Sequence, residues 1–209
     1  MTPRLFLYRP PALANWIYGN SVIWSLGESS GQIGLTFDDG PDPGITPLIL
    51  ETLEKYGVQA TFFVIGAKAL LYPELIAEIR QKGHAIGNHT HSHLNGWKTS
   101  SGFYKQDVEK CSQMVPSVLF RPPYGKITPQ QIRLLKKKYR IVMWSLLSGD
   151  FRSDFDPESI FRNTVQRTRA GDIVVFHEHP HILQRMPGLL PRYIETILGK
   201  GYTFGTLSD

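Results

Sequence analysis

The sequence predicts an α/β fold in which a parallel sheet is covered by helices. Four times along the 209 residues, a stretch with helical periodicity ends near a glycine and a short apolar run follows. The glycines between helix and strand are Gly57, Gly83, Gly171 and Gly201. Glycine suits the left-handed turn that ends a helix, and continuous apolar runs suit strands buried on both faces. This alternation favours parallel strands joined by helical crossovers.

The predicted elements follow one another in chain order. The clearest helical stretches are residues 52–56, 74–82, 160–170 and 193–200. Pro73 and Pro129 stand at early helical positions, where a missing N–H costs nothing. The predicted strands are residues 33–37, 58–65, 84–87, 119–121, 141–144, 172–176 and 202–204. Seven strands within 209 residues would make a compact barrel, and an open sheet is the alternative architecture.

We predict a single catalytic domain over residues 32–209, because these residues contain every predicted strand and no linker or low-complexity segment divides them. Residues 1–31 precede the first strand and are rich in proline and aromatic residues, including Trp16, Tyr18 and Trp24. We expect this N-terminal segment to pack across one end of the barrel.

The composition excludes several classes of protein. With 41% hydrophobic and 20% charged residues, the chain is globular and not disordered. No apolar run approaches the roughly 20 residues that cross a bilayer, so we predict no membrane span. The single cysteine, Cys111, excludes an internal disulfide and a multi-cysteine zinc site, and we interpret it as a structural thiol.

The charge and the N-terminus bear on partners and location. A net charge of +5 suits an anionic polymer such as cell wall or nucleic acid. The densest basic run, Lys136 to Lys138, lies at a predicted helix end, where the helix dipole favours cations, and no nucleic-acid-binding module is present. We therefore expect no nucleic-acid partner. We also expect a monomer. Residues 1–24 lack the apolar core and cleavage site of a signal peptide, which predicts a cytoplasmic location by default.

Polar side chains follow several predicted strands. Asp38 and Asp39 follow the first strand, and Asn88, His89 and His93 the third; Arg121 and Tyr124 follow the fourth, Asp150 the fifth and His177 the sixth. The carboxyl ends of the strands of a β/α barrel form one face, where active sites lie. Five segments distant in sequence should therefore meet at one site.

Two of these segments have the residue types of a metal site. Adjacent carboxylates at Asp38 and Asp39 can serve two roles, one as a metal ligand and one as a proton acceptor, although Asp, Gly and Pro also form ordinary turns. His89 and His93 are four residues apart and would share one face of a helical turn, which is a recurring metal-ligand spacing. His91 alternates away from them, so we expect it to be exposed or to support the pair.

Two further segments have the residue types of acid–base and oxyanion chemistry. Arg121 can grip a carboxylate with two prongs, and the prolines and glycine of residues 122–125 could aim a backbone N–H at an oxyanion. His177 lies just beyond a buried strand and is a natural proton donor near neutral pH. Asp150 is a candidate partner that would raise its pKa. A surface turn with a salt bridge and a structural histidine are the alternatives.

Together these segments resemble the polysaccharide deacetylases of carbohydrate esterase family 4. The resemblance extends over residues 32–206 and includes five motifs in the order of the family. The motifs are residues 36–40, 89–93, 121–125, 144–151 and 175–177. The resemblance implies a distorted (β/α)7 barrel and a metal-dependent hydrolase that removes acetyl groups from a carbohydrate.

The resemblance also implies a role for each matching residue. Asp38 would be the general base, held by Arg121, and His177 would be the general acid, tuned by Asp150. The metal would be held by Asp39, His89 and His93. It would be Zn²⁺, with Co²⁺, Ni²⁺, Mn²⁺ or Fe²⁺ as alternatives. The backbone N–H of Tyr124 would face the oxyanion.

The chain departs from the usual motifs where the family binds substrate. Phe151 stands where Trp is common, Leu147 where an acidic residue is common, Val175 where Leu is common and Glu178 where Asp is common. These changes leave the metal and acid–base residues intact and bear on the acetyl pocket. The predicted contacts to substrate or oxyanion are Pro123, Tyr124, Phe151 and Val175.

The predicted substrate is an N-acetylated carbohydrate, peptidoglycan or chitin oligosaccharides. One alternative keeps the same site but acts on acetyl-xylan as an O-acetyl esterase, or on a small molecule as an amidase. The other alternative, a non-catalytic carbohydrate-binding domain, predicts a broken set of metal or acid–base residues, and the set is complete in this sequence.

Overall fold

The structure is a computed structural model that describes residues 6–11, 13–14 and 18–207. Eight strands are found within these residues. They are β1 (Gln32–Asp38), β2 (Thr61–Val64), β3 (Ala85–Asn88), β4 (Leu119–Phe120), β5 (Arg140–Ile141), β6 (Leu146–Leu147), β7 (Ile173–His177) and β8 (Thr203–Gly205).

All eight strands belong to one parallel sheet. The hydrogen-bonded order is β5-β4-β3-β2-β1-β7-β6, and β8 pairs with the first residues of β1. The seven strands of this path curl into a half-barrel covered by helices, which confirms the predicted distorted (β/α)7 barrel. Every β1 residue except Gln32 is buried, as expected for a central strand with both faces covered.

The described helices follow the strands in the order expected of β/α units. They are α1 (Thr46–Lys55), α2 (Gly66–Leu71), α3 (Pro73–Gln81), α4 (Ser101–Met114), α5 (Pro129–Leu135), α6 (Pro157–Arg167) and α7 (Met186–Gly199). Pro73 and Pro129 open their helices as predicted. The start of α5 also has a capping box, in which Thr128 and Gln131 exchange hydrogen bonds. None of the described helices has both the length and the apolar character needed to cross a membrane.

Aromatic side chains fill the core beneath the carboxyl ends of the central strands. The rings of Phe37 and Phe62 stack with centroids 5.1 Å apart, and Phe176 lies 6.2 Å from Phe37. All three side chains are fully buried. This packing gives the adjacent strand ends of β1 and β7 a rigid base.

The seven predicted strands are all present, with β6 in addition. β6 is two residues long and begins only five residues after β5 ends, so no separate apolar run announces it. Its presence changes one assignment, because Asp150 follows β6 and not the strand near residues 141–144.

The described part of the N-terminal segment contacts the barrel at several points. Arg9 donates to the carboxylate of Asp172 at 2.7 and 2.9 Å, and Ile23 forms a parallel bridge with Val142 just beyond β5. Trp16 lies outside the described residues. A domain boundary between residues 31 and 32 stays a prediction.

Candidate active site

The carboxyl ends of five strands bring the polar residues of the sequence motifs to one place. Asp38 is the last residue of β1, and His177 is the last residue of β7. His89 and Arg121 directly follow β3 and β4, and Asp150 lies three residues after β6.

A cavity of about 340 Å³ opens at this face, and we call it the reaction cavity. Its polar wall consists of Asp38, Asp39, His89, His93 and His177. The rest of its wall is Tyr124, Lys126, Trp144, Leu147 and Phe151.

Two predicted substrate contacts are not in this wall. Val175 is fully buried within β7 and does not line the cavity. Pro123 is buried beneath the turn that carries Tyr124. Of the four predicted substrate or oxyanion residues, the structure therefore brings Tyr124 and Phe151 to the cavity.

Asp39, His89 and His93 form a compact set of ligand atoms. The Nε2 atoms of His93 and His89 lie 3.0 and 3.5 Å from Oδ1 of Asp39. Burial of the Asp39 carboxyl favours its neutral form, but the two imidazoles within hydrogen-bonding distance outweigh it and hold the pKa of Asp39 well below its usual range. The carboxylate is therefore ionised at neutral pH.

The predicted helical turn through His89 and His93 is wrong. The chain forms an irregular loop in which Thr90 and His93 adopt left-handed backbone conformations, with φ of 63° and 53°. Asp39 is also left-handed, with φ of 74°. Such conformations carry strain in residues other than glycine and cluster at functional sites.

Hydrogen bonds hold this strained loop in place. The Asn88 side chain accepts from the backbone N–H of Thr90 at 2.8 Å and donates to the carbonyl of Val108 at 2.8 Å. Asp107 accepts from the backbone N–H groups of His91 and Ser92, each at 2.9 Å. His91 is itself buried, so of the two alternatives expected for it, exposure is not met, and support of the histidine pair stays a prediction.

The orientation of His89 is set by a backbone carbonyl. Its Nδ1 lies 2.8 Å from the carbonyl oxygen of Arg121. A carbonyl can only accept, so Nδ1 must carry a proton. In the neutral imidazole this leaves the Nε2 lone pair on the side of Asp39 and His93, which is the arrangement found for histidines that bind metals.

Asp38 is paired with a buried arginine. Nη1 of Arg121 donates to Oδ1 of Asp38 at 2.6 Å and to the hydroxyl of Thr36 at 2.8 Å. The other two guanidinium nitrogens, Nε and Nη2, donate to the carbonyls of Val142 and Met143. Arg121 thus makes one contact to the carboxylate and not the two-pronged grip considered from the sequence. Because Arg121 is fully buried, every one of its partners matters for the fold.

His177 is gripped by Asp150 at two points. Oδ1 of Asp150 accepts from Nδ1 of His177 at 2.8 Å, and Oδ2 accepts from the backbone N–H of His177 at 2.7 Å. Burial lowers the pKa of His177, but the carboxylates of Asp150, Asp39 and Asp38 outweigh it and raise the pKa to about 9. With Nδ1 committed to Asp150, Nε2 is the nitrogen free to donate a proton elsewhere.

Aromatic rings flank the polar residues. The Tyr124 ring lies 4.6 Å from that of His93, and the Phe151 ring meets the edge of His177 at 4.7 Å. Tyr124 has a φ of 60°, and its side chain is 58% exposed, so it forms part of the rim. Phe151 is half-buried.

Two residues of the reaction cavity, Lys126 and Trp144, were not among the predicted site residues. Lys126 directly follows the motif at residues 121–125, and Trp144 begins the motif at residues 144–151. Their nearness to motifs was the available signal. Two residues without an assigned role, His179 and His181, lie outside the cavity wall, although His181 Nε2 is 3.1 Å from the carbonyl of Phe151.

Glu178 lies buried behind the loop that carries Asp39. Its Oε1 accepts a hydrogen bond from the hydroxyl of Thr46, while Oε2 has no hydrogen-bond partner among the described residues. Burial raises the pKa of Glu178 to about 8, with Asp39 and Asp42 adding to the rise. The carboxyl is therefore mostly neutral at pH 7.

A family model described as polysaccharide deacetylase matches residues 27–142. A peptidoglycan-N-acetylglucosamine deacetylase of Bacillus cereus is 33% identical over 196 residues, which are 90% of this chain and 92% of the relative. A chitooligosaccharide deacetylase of Azorhizobium caulinodans is 30% identical over 159 residues, which are 72% of this chain and 75% of the relative.

A solved structure of a deacetylase is also similar to this chain. The crystal structure of a peptidoglycan N-acetylglucosamine deacetylase in complex with 4-naphthalen-1-yl-N-oxidanyl-benzamide superposes with a TM-score of 0.87. The two chains share 30% sequence identity, and the match covers 95% of each.

Proposed function

We propose that this chain, which belongs to the polysaccharide deacetylase family, carbohydrate esterase family 4, is a metal-dependent hydrolase that removes N-acetyl groups from a polysaccharide containing N-acetylglucosamine. The observation that carries the proposal is the reaction cavity itself. It joins a possible metal site, Asp39, His89 and His93, to a carboxylate at Asp38 and an imidazole at His177.

The residues present fit a divalent metal. One ligand atom from each of Asp39, His89 and His93 lies within 4.8 Å of the others, and His89 has its tautomer fixed by the Arg121 carbonyl. Two imidazoles and a carboxylate leave coordination positions open, as in catalytic zinc sites. Zn²⁺ is our first choice, with Co²⁺, Ni²⁺, Mn²⁺ and Fe²⁺ as alternatives. A divalent metal held there would lower the pKa of a water and polarise the acetamide carbonyl.

Asp38 is the proposed general base. It lies beside the ligand set but is held by Arg121 and not by the histidines. The guanidinium fixes one oxygen of the carboxylate, so the other can take a proton from the attacking water.

His177 is the proposed general acid. It lies on the neighbouring strand and is protonated at neutral pH because of Asp150. Its Nε2 can therefore give a proton to the departing sugar amine as the bond to the acetyl carbon breaks. The backbone N–H of Tyr124 is the proposed donor to the oxyanion.

The choice of substrate rests on the relatives and on the shape of the site. Two relatives are named as peptidoglycan and chitooligosaccharide deacetylases. In this chain the reaction cavity shares Tyr124, Trp144 and Leu147 with a second cavity beside it, so a chain longer than one sugar can be accommodated. Peptidoglycan as substrate would place the reaction at the cell envelope.

Acetate release tests the proposal. The purified, zinc-loaded protein is assayed with chitooligosaccharides, peptidoglycan fragments and acetyl-xylan, each with and without EDTA. We expect acetate from at least one N-acetylated glycan, and none after EDTA. Acetate from acetyl-xylan alone would establish the O-acetyl esterase alternative, and no acetate from any substrate would reject the enzyme.

A further inference from the structure

The cavity that adjoins the reaction cavity has an aromatic wall, and we call it the aromatic cavity. Its wall includes Tyr18, Trp24 and Trp97, together with Tyr124 and Trp144, which it shares with the reaction cavity. Its volume is also about 340 Å³. Aromatic faces in a cavity wall pack against the apolar faces of sugar rings. Two adjoining cavities of equal size therefore suit two neighbouring sugars of one chain.

Lys126 stands where the two cavities meet. It lines the reaction cavity, and its ammonium lies 5.4 Å from the ring centroid of Trp97 and 5.8 Å from that of Tyr124. Both distances are within the range of a cation–π contact. These two rings line the aromatic cavity. The Lys126 ammonium is therefore held at the boundary between the aromatic cavity and the reaction cavity.

The backbone of Lys126 is also fixed. The turn before it has left-handed residues at Tyr124 and Gly125, and the N–H of Lys126 donates to the carbonyl of Pro123 at 3.1 Å. The residue is half-buried. A charge held in this way loses less conformational freedom on binding than a lysine on an open surface.

The other basic side chains of the two cavity walls already lie against carboxylates. His177 is paired with Asp150, His89 and His93 lie against Asp39, and Arg9 is paired with Asp172. Within the part of the chain that the structure describes, no acceptor or carboxylate contacts the ammonium of Lys126. A positive charge that is fixed in position and lacks a protein counter-ion is complementary to an anionic group on the ligand.

We propose that Lys126 is a specificity-determining residue that binds a carboxylate on the substrate next to the sugar that loses its acetyl group. The inference rests on the proposed function. It selects carboxylate-bearing glycans, such as peptidoglycan strands, over neutral chitooligosaccharides. The carboxylate can come from the lactyl ether of a neighbouring amino sugar or from a peptide attached to it, and both present the same group to Lys126.

The test compares three oligosaccharides of equal length. The first is neutral chitotetraose. In the second, N-acetylglucosamine alternates with amino sugars that carry a free lactyl carboxylate. The third has the same sugars as the second, with peptides attached to the lactyl groups. The value of kcat/KM for acetate release is measured for the zinc-loaded wild type, Lys126→Gln and Lys126→Arg. The matched control is Lys55→Gln. Lys55 ends α1 and lines neither cavity, and its ammonium lies 5.5 Å from the Tyr56 ring, as that of Lys126 lies near aromatic rings.

We expect Lys126→Gln to lower the carboxylate-to-neutral ratio of kcat/KM about fivefold, the contribution of one partly exposed ion pair. Lys126→Arg and Lys55→Gln should both keep the carboxylate-to-neutral ratio of the wild type. Salt at 0.5 M should reduce the difference in this ratio between the wild type and Lys126→Gln. The substrate that shows the larger effect identifies the source of the carboxylate. An equal ratio in the wild type and Lys126→Gln would overturn the inference.

Failure of the proposed function gives a different result. A wild type that releases no acetate from any substrate rejects the deacetylase. Dissociation constants for the same oligosaccharides, measured by calorimetry with the same variants, then decide whether Lys126 binds the carboxylate. A ratio of dissociation constants that is unchanged in Lys126→Gln would overturn the inference without any turnover.

Discussion

Asp38 and His177 are register partners on the adjacent parallel strands β1 and β7. Neighbouring strands are about 4.8 Å apart and partners point to the same face, so the two side chains emerge together at the carboxyl end of the sheet. Each is held by an oppositely charged residue, Asp38 by Arg121 and His177 by Asp150. The register thus places an anionic group and a cationic group side by side without letting them neutralise each other.

Asp38→Asn should lower kcat/KM for acetate release by about 10² to 10⁴, because the amide cannot accept the proton from water. Zinc affinity should stay close to that of the wild type, since Asp38 is not in the ligand set. The two measurements are acetate release and zinc binding by competition with a chelating dye.

The fold provides the control for this variant. Arg121 is fully buried and loses its counter-ion in Asp38→Asn, which should destabilise the protein by at most about 3 to 5 kcal/mol. Assays therefore run below the melting temperature measured for the variant. A folded Asp38→Asn protein with normal turnover would reject Asp38 as the base.

Removal of the metal should abolish the activity and leave the fold. EDTA should stop acetate release, and added Zn²⁺ should restore it. His93→Ala should weaken zinc binding by at least about 100-fold, because one of three ligands is lost. The control is His179→Ala, an exposed histidine outside the ligand set. Full activity in EDTA, or equal zinc affinity in the two variants, would contradict the assignment of the site.

Asp150→Asn should move the alkaline limit of activity to lower pH. As the proposed general acid, His177 must be protonated, and its pKa of about 9 lies above the usual 6.5 because of Asp150. Activity should therefore persist at neutral pH and fall as pH rises through about 9. Without the carboxylate charge, the limit should fall by about 1 to 3 pH units.

The same pair predicts the sign of a stability effect. A histidine with a raised pKa stabilises the fold fully below about pH 6.5, and this contribution is lost as pH rises through about 9. Chemical unfolding at several pH values should show this loss in the wild type and a smaller one in Asp150→Asn. An unchanged pH–rate profile in that variant would contradict the role of Asp150.

Local signals in the sequence predicted most of the barrel. Each short apolar run after one of the four glycines became a strand of the sheet, and continuous apolar residues are typical of parallel strands covered by helices. β6 left no such signal, since it begins only five residues after β5 ends and no glycine separates the two strands. The assignment of Asp150 to the end of the preceding strand was wrong for this reason.

The sequence motifs predicted which polar residues of the candidate site lie together. They did not predict the backbone conformation of the loops or which neighbouring side chains line the cavity. The spacing of His89 and His93 indicated a shared ligand set, but the left-handed loop between them depends on Asn88 and Asp107. Val175 seemed to be a substrate contact because of its place in a motif, yet its side chain is fully buried and does not line the reaction cavity. Which neighbours of a motif line a cavity depends on contacts between distant segments.

Gly40 should not tolerate a side chain. A Cβ at this position would lie 2.0 Å from Oε2 of Glu178, which is far below any contact distance. The Glu178 side chain is fully buried and is held at its other oxygen by Thr46, so it cannot swing aside. We expect Gly40→Ala to destabilise the protein by about 1 to 3 kcal/mol and to weaken zinc binding, because the neighbouring residue is Asp39.

Glu178→Asp tests this contact directly, because it withdraws the carboxyl by one methylene. In the double variant the added methyl of Ala at position 40 can occupy the space that the carboxyl leaves. The destabilisation of the double variant should thus be smaller than the sum of the two single effects by about 1 kcal/mol or more. The control is Gly102→Ala in α4, where a Cβ meets no atom within 4 Å and Ala should stabilise by about 0.4 to 1 kcal/mol. Additive effects of Gly40→Ala and Glu178→Asp, measured by chemical unfolding, would mean that the two residues do not compete for this space.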